Sequence, residues 1–123
     1  MQLKVLEDRV KGDRCCHNDA VPRLADNSAR DLASDFEIFA HPVRLQLLDV
    51  LARNEGQVCV CDLEAAVSVK QPTVSHHLRL LREANLIGFE KRGLWTYYFV
   101  NRKELSALRT RVVTQLDGLR NGK

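Results

Sequence analysis

Apolar positions recur along this chain with two different periods, and the change of period divides it. Leu3, Leu6 and Val10 fall at helical spacing in a short arm that would be marginal as an isolated helix. Residues 12–27 hold Gly12, Asn18, Pro22 and Asn27 and read as an irregular linker. Ser28 is suited to cap a helix in which Leu32, Phe36 and Phe39 fall at i, i+4 and i+7. His41-Pro42 interrupts that helix and opens the next, because proline fits a first turn. There Val43, Leu47, Val50 and Leu51 make one apolar face, and Asn54-Glu55-Gly56 ends it. A short helix is predicted over 62–67 and a longer one over 71–84. After Asn85 the period becomes two. Ile87 and Phe89, a Lys91-Arg92-Gly93 turn, then Trp95, Tyr97 and Phe99 predict a β-hairpin, with those three aromatics as its anchor to the core. From Lys103 the helical period returns in Leu105, Leu108, Val112, Leu116 and Leu119. The predicted fold is mainly α with one β-hairpin.

A length of 123 residues with 45% hydrophobic positions suffices for one compact domain. The expected division is an N-terminal arm, 1–27, carrying Cys15 and Cys16, and a single domain, 28–123. No apolar run approaches the roughly 20 residues that cross a bilayer. The alternation of apolar and charged residues up to Lys11 lacks the core of a secretory signal, so a cytoplasmic chain without a membrane partner is expected. In a reducing compartment Cys15, Cys16, Cys59 and Cys61 are read as thiols or ligands, not disulfides. The net charge of +3 permits a polyanionic partner without demanding one.

The stretch 61–84 carries the most specific pattern. A short helix, a tight connection at Ser68-Val69-Lys70 and a helix opening at Gln71-Pro72 match a helix-turn-helix. On a helical wheel Val74, Leu78 and Leu81 share one side, with Pro72, Ser75, His76 and Arg79 on the other or beside it. Short polar donors and one arginine near a helix N-terminus suit the reading of base edges in the major groove of double-stranded DNA. Thr73 and Ser75 also suit phosphate oxygens. His77 falls nearer the apolar side and is expected to pack. An amphipathic helix with a solvated polar face is the commoner fate of such a pattern taken alone. The hairpin that follows, with Lys91 and Arg92 at its tip within reach of backbone or minor groove, tips the balance to DNA.

Phe39-Ala40-His41-Pro42-Val43-Arg44, Cys59-Val60-Cys61-Asp62-Leu63 and Gln71-Pro72-Thr73-Val74-Ser75-His76-His77-Leu78 together resemble the ArsR/SmtB family of metal-sensing repressors. The resemblance runs from about Leu32 to Leu119. It implies a winged helix-turn-helix homodimer that blocks transcription of metal-resistance genes and leaves its operator when metal binds. Lys70 departs from the small polar residue usual in the family. It cannot accept the N–H bond of a cap and is assigned instead, with Gln71, to the DNA face. The C-terminal stripe Leu105, Leu108, Val112, Leu116 and Leu119, with Leu32, Phe36 and Phe39, reads as a dimer seam, packing inside the protomer being the alternative.

Cys59-Val60-Cys61 stands where a helix begins, a position that favours the thiolate, the form that binds soft ions. Alone it is half a site, and Cys15 and Cys16 are the only other sulfurs of cysteine in the chain. Neither pair has the spacing usual for structural zinc, and thiolate-rich ligation suits thiophilic ions. In the resembled family such a helix-start pair joins N-terminal cysteines, often across protomers. That role is carried to Cys15, Cys16, Cys59 and Cys61, with arsenic(III) as first choice of inducer, antimony(III) next, and cadmium or lead as the alternative. The family's arsenic sensors use three thiols, which leaves one of the four, Cys61 by preference, as a bystander. The C-terminal helix holds Glu104 and Asp117 but no histidine, so zinc sensing there is not supported. His41, beside Pro42, is expected to be structural or capping. No C-x-x-C, phosphate cradle or nucleophile loop supports an enzyme. The remaining rivals are a repressor switched by disulfide formation between the cysteines and a winged helix used only for protein contacts, which the basic wing and Arg79 argue against.

Overall fold

The computed structural model describes residues 21–54 and 58–122. The arm up to Ala20, with the expected Leu3–Val10 helix and both Cys15 and Cys16, lies outside the described residues. The elements are α1 (Asp26–Glu37), α2 (Pro42–Arg53), β1 (Val58–Cys59), α3 (Val60–Ala66), α4 (Gln71–Glu83), β2 (Ile87–Arg92), β3 (Trp95–Val100) and α5 (Arg102–Asn121). The mainly helical, winged architecture expected from the sequence is the one observed.

Several local expectations need correction. α1 begins two residues ahead of Ser28. Ala25 holds the cap position without a side-chain bond, and Asp26 supplies the first-turn carboxylate that the helix dipole favours. The same helix stops at Glu37, so Phe39 lies in the following turn. His41, preceding proline, is pushed to an extended conformation (φ −150°, ψ 128°) and becomes the cap of α2, its Nδ1 accepting the Val43 N–H at 3.1 Å. The capping role expected of His41 is thus observed. Val58 and Cys59 form a strand no periodicity could reveal. They pair antiparallel with Tyr98 and Tyr97, giving a sheet of order β1-β3-β2. α3 accordingly starts at Val60, ahead of the expected Asp62.

The hairpin also turns one step later than expected. Arg92 is paired with Trp95 at the strand ends, and the turn is Gly93-Leu94. Gly93 has φ 62°, the sign that a type II′ turn requires at its first central residue. The expected anchor of Trp95, Tyr97 and Phe99 is corrected as well. Ile87, buried, pairs with Val100, and Phe89 with Tyr98. The face of β3 that meets the core is therefore Tyr98 and Val100, while Trp95 is 55% exposed. On the outer face the Phe99 ring lies over Gly88, where any Cβ would stand only 2.6 Å from its Cζ.

The core joins Leu47 and Leu51 of α2, Leu63 of α3, Val74 and Leu81 of α4, and Leu86. α4 ends in a Schellman motif. Asn85 takes the left-handed conformation (φ 62°), its N–H reaches Arg82 O at 2.9 Å, and Leu86 N–H reaches Leu81 O at 3.1 Å. The fully buried pair Leu81 and Leu86 closes that motif, so the direction in which the wing leaves α4 is fixed by packing as well as by hydrogen bonds. α5 is capped by Asn101, whose side chain accepts the Glu104 N–H at 3.2 Å. It lies against α1, where Arg111 grips Asp35 with two bonds of 3.1 Å.

Candidate nucleic-acid interface and thiol pair

α3 and α4 form the helix pair, and the hairpin follows directly. Lys70 occupies the cap position of α4 without a side-chain bond. Its carbonyl nevertheless accepts the N–H groups of Thr73 and Val74 at 3.0 and 3.1 Å, so the helix starts regularly despite the missing cap. Val74, Leu78 and Leu81 are buried, whereas Gln71, Pro72, Thr73, Ser75, His76 and Arg79 are exposed along the opposite side. Lys70 is exposed at their edge. Arg79 Nη2 lies 3.0 Å from His76 Nδ1, which holds the arginine along the polar face. His77 is buried, as its place on the wheel anticipated.

On the wing, Lys91 and Arg92 are exposed at the end of β2. Arg92 pairs with Glu90 at 3.3 Å and stacks over Tyr97, 5.1 Å from the ring centroid, so its cation is aimed rather than free. Leu94, 98% exposed, forms the tip. Arg82, which sequence reasoning passed over, lies over Phe89 at 4.8 Å and adds a cation where α4 meets the wing. Its i+3 spacing from Arg79 was the signal that could have shown it.

Cys59 and Cys61 flank the start of α3 with their sulfurs 2.7 Å apart; Cys61 is exposed and Cys59 partly so. The expectation that the helix start favours the thiolate fails at Cys61. Its pKa is raised, chiefly by the hydrogen bond with the Cys59 sulfur and then by desolvation, while the Asp62 backbone N–H opposes the shift. Two adjacent soft donors suit a thiophilic ion; among the described residues no cluster of three or more His, Cys, Asp or Glu could hold a metal.

The seam candidates divide. Leu108 is buried in the protomer's own core, and Phe39, Leu105 and Val112 pack partly against it. Leu32 is half-buried, while Phe36, Leu116 and Leu119 are exposed, Leu119 by 78%. Leu108 is therefore corrected to a core residue, leaving the outer part of α1 and the end of α5 as the apolar surface. Among the described residues no helix is long and apolar enough to cross a membrane.

A helix-turn-helix with a β wing and an exposed polar face on its second helix defines a winged-helix DNA-binding protein. Comparison with known proteins narrows this. The model of the bacterial regulatory protein, arsR family, matches residues 41–88. The arsenical resistance operon repressor of Bacillus subtilis is 38% identical over 79 residues, 64% of this chain and 74% of that protein. A cadmium resistance transcriptional regulatory protein CadC homolog of Staphylococcus aureus is 32% identical over 96 residues, 75% of this chain and 78% of that protein. Among solved structures, the antimony-specific transcriptional repressor AntR matches with a TM-score of 0.57 at 25% identity, over 87% of this chain and 99% of that one. The chain belongs to the ArsR family of transcriptional regulators.

Proposed function

We propose that this chain is a homodimeric cytoplasmic repressor that binds a pseudo-palindromic operator and releases it when arsenic(III) or antimony(III) is captured by its thiols. The observation that carries the proposal is the pairing of the Cys59 and Cys61 sulfurs at 2.7 Å, on the helix that directly precedes α4. Names of similar proteins add support for arsenic and antimony, and one of them keeps cadmium as the alternative.

Cys59 and Cys61, with Cys15 or Cys16 from the arm 1–27, would hold the ion. Thiolate ligation supplies the affinity for a soft centre and the selectivity against hard ones. The domain 28–123 does the rest. Gln71, Pro72, Thr73, Ser75, His76 and Arg79 enter the major groove, Lys70 meets phosphate, and Lys91 and Arg92 bring the wing to the backbone. Phe36, Leu116 and Leu119, with Leu32 behind them, meet the second copy. Fastening the arm to the start of α3 shifts α4, and two half-sites about 34–36 Å apart tolerate little displacement. A coupling of about 1–3 kcal/mol lowers occupancy several-fold or more.

Fluorescence anisotropy on a promoter duplex, titrated with arsenite, antimonite, cadmium and lead, tests the proposal. Cys59→Ser, and Cys15→Ser combined with Cys16→Ser, should each bind DNA as before but fail to release it. Undiminished binding at saturating arsenite and antimonite defeats the choice of inducer. Release by peroxide alone, reversed by dithiothreitol, would establish the redox reading instead.

A further inference from the structure

Among the described residues two charged or titratable side chains are buried, Arg44 and His77, and they face each other. Arg44 stands in the first turn of α2, on the face it shares with Leu48 and Leu51. Its Nε donates to Ile38 O at 2.8 Å and its Nη2 to Glu37 O at 3.0 Å, two carbonyls at the C-terminal end of α1. A helix leaves its last carbonyls without intrahelical i+4 partners, and its dipole favours a cation there, although Glu37 O also accepts the Ala40 N–H at 3.0 Å. The remaining arm of the fork, Nη1, lies 3.1 Å from His77 Nδ1, on α4. Arginine has donors only, so His77 must offer a lone pair at Nδ1 and carry its proton on Nε2. His41, fixed by its capping bond, lays its ring against His77 with centroids 4.1 Å apart. On the next position of α4, His76 holds Arg79 on the polar face.

The side chains by which α4 enters the core, Val74, Leu78 and Leu81, are apolar. Such contacts resist separation but discriminate poorly between small rotations of a helix about its axis. The bond from Arg44 to His77 is directional.

We propose that Arg44 is a positioning residue for operator binding: one buried guanidinium ties α4 to the end of α1, so that α1, which packs on α5, sets the rotation of the polar face. The inference rests on the reading of α4 as the groove-entering helix. Protonation of His77 removes the acceptor and sets two cations against each other. The groups acting on His77 are Arg44 and His41 from α2 and its cap and His76 from α4, none of them acidic. Any general gain of positive charge at acid pH strengthens binding to all DNA alike, so the latch is read in the ratio of specific to non-specific affinity.

The test uses the full chain and a duplex enriched from a random pool by the wild type, beside a scrambled duplex of equal composition. Arg44→Lys, with circular dichroism unchanged, should lose at least about tenfold in affinity for the enriched duplex and less than about threefold for the scrambled one. The wild-type ratio should fall between about pH 7.5 and about pH 5.5. His77→Asn, whose Oδ1 stands where Nδ1 does and does not titrate, should hold its ratio across that range. A folded Arg44→Lys with the wild-type ratio overturns the proposal, as does the same acid loss in His77→Asn. Should Arg44→Lys unfold, the His77→Asn profile decides alone. If the wild type enriches no duplex, the groove-entering reading of α4 fails first.

Discussion

Leu81→Ala and Arg79→Ala perturb the same helix from opposite sides and should have opposite consequences. Leu81 is fully buried, the inner partner of Leu86 in the motif that ends α4. Alanine removes three carbons. At about 0.8 kcal/mol per buried methylene the transfer loss is about 2.4 kcal/mol, and the cavity left behind carries it toward about 3–4 kcal/mol. Domains of this kind are stable by only about 5–15 kcal/mol, so the loss is large. Arg79 is exposed, and its hydrogen bond is to His76 on the same face. Its removal should cost less than about 0.5 kcal/mol of stability. It should nonetheless weaken operator binding by about 1–3 kcal/mol, with relaxed selectivity at the base it reads. Urea unfolding followed by far-ultraviolet circular dichroism measures the first quantity, and anisotropy against operator and scrambled duplex the second. Trp95, the single tryptophan, sits on the wing and reports any change there independently. If Arg79→Ala destabilises the fold as much as Leu81→Ala, or leaves operator selectivity intact, the assignment of the two faces is wrong.

Two further outcomes concern the fold. His77 has a lowered pKa, from burial first and then from His41 and Arg44. The unfolded chain therefore holds more protons just below the ordinary histidine value of about 6.5, and stability should fall as pH drops through that window until the folded form protonates too. Urea midpoints from neutral to mildly acid pH check this, and His77→Asn should flatten that part of the curve. At Asn85, with φ 62°, glycine should be neutral or slightly stabilising, whereas valine should cost about 1–2 kcal/mol by thermal melts.

The pattern of the sequence was enough to determine the helices, the hairpin and the polar face of α4, because each is a local matter. Val74, Leu78 and Leu81 are spaced by the helical repeat, so whatever lies opposite them must face water. The capping by His41 and the packing of His77 follow from the same reasoning. Other features depended on partners far away in the chain. β1 exists because Val58 and Cys59 find Tyr98 and Tyr97, and two residues have no period of their own. β3 carries aromatics on both faces, and only its register with Ile87 settled which face turned inward. Leu108 shares a stripe with Leu116 and Leu119, yet it alone of these lies deep enough to join the core. Arg44 is buried on the face of α2 it shares with Leu48 and Leu51, and its partner His77 is thirty-three positions away, which no local pattern shows. The Cys61 proton likewise answers to a neighbouring sulfur more than to the helix that begins beside it. Periodicity states which side of an element avoids water; what that side meets is chosen by the packing of the whole chain, where a buried cation must find acceptors and a strand edge must find a partner.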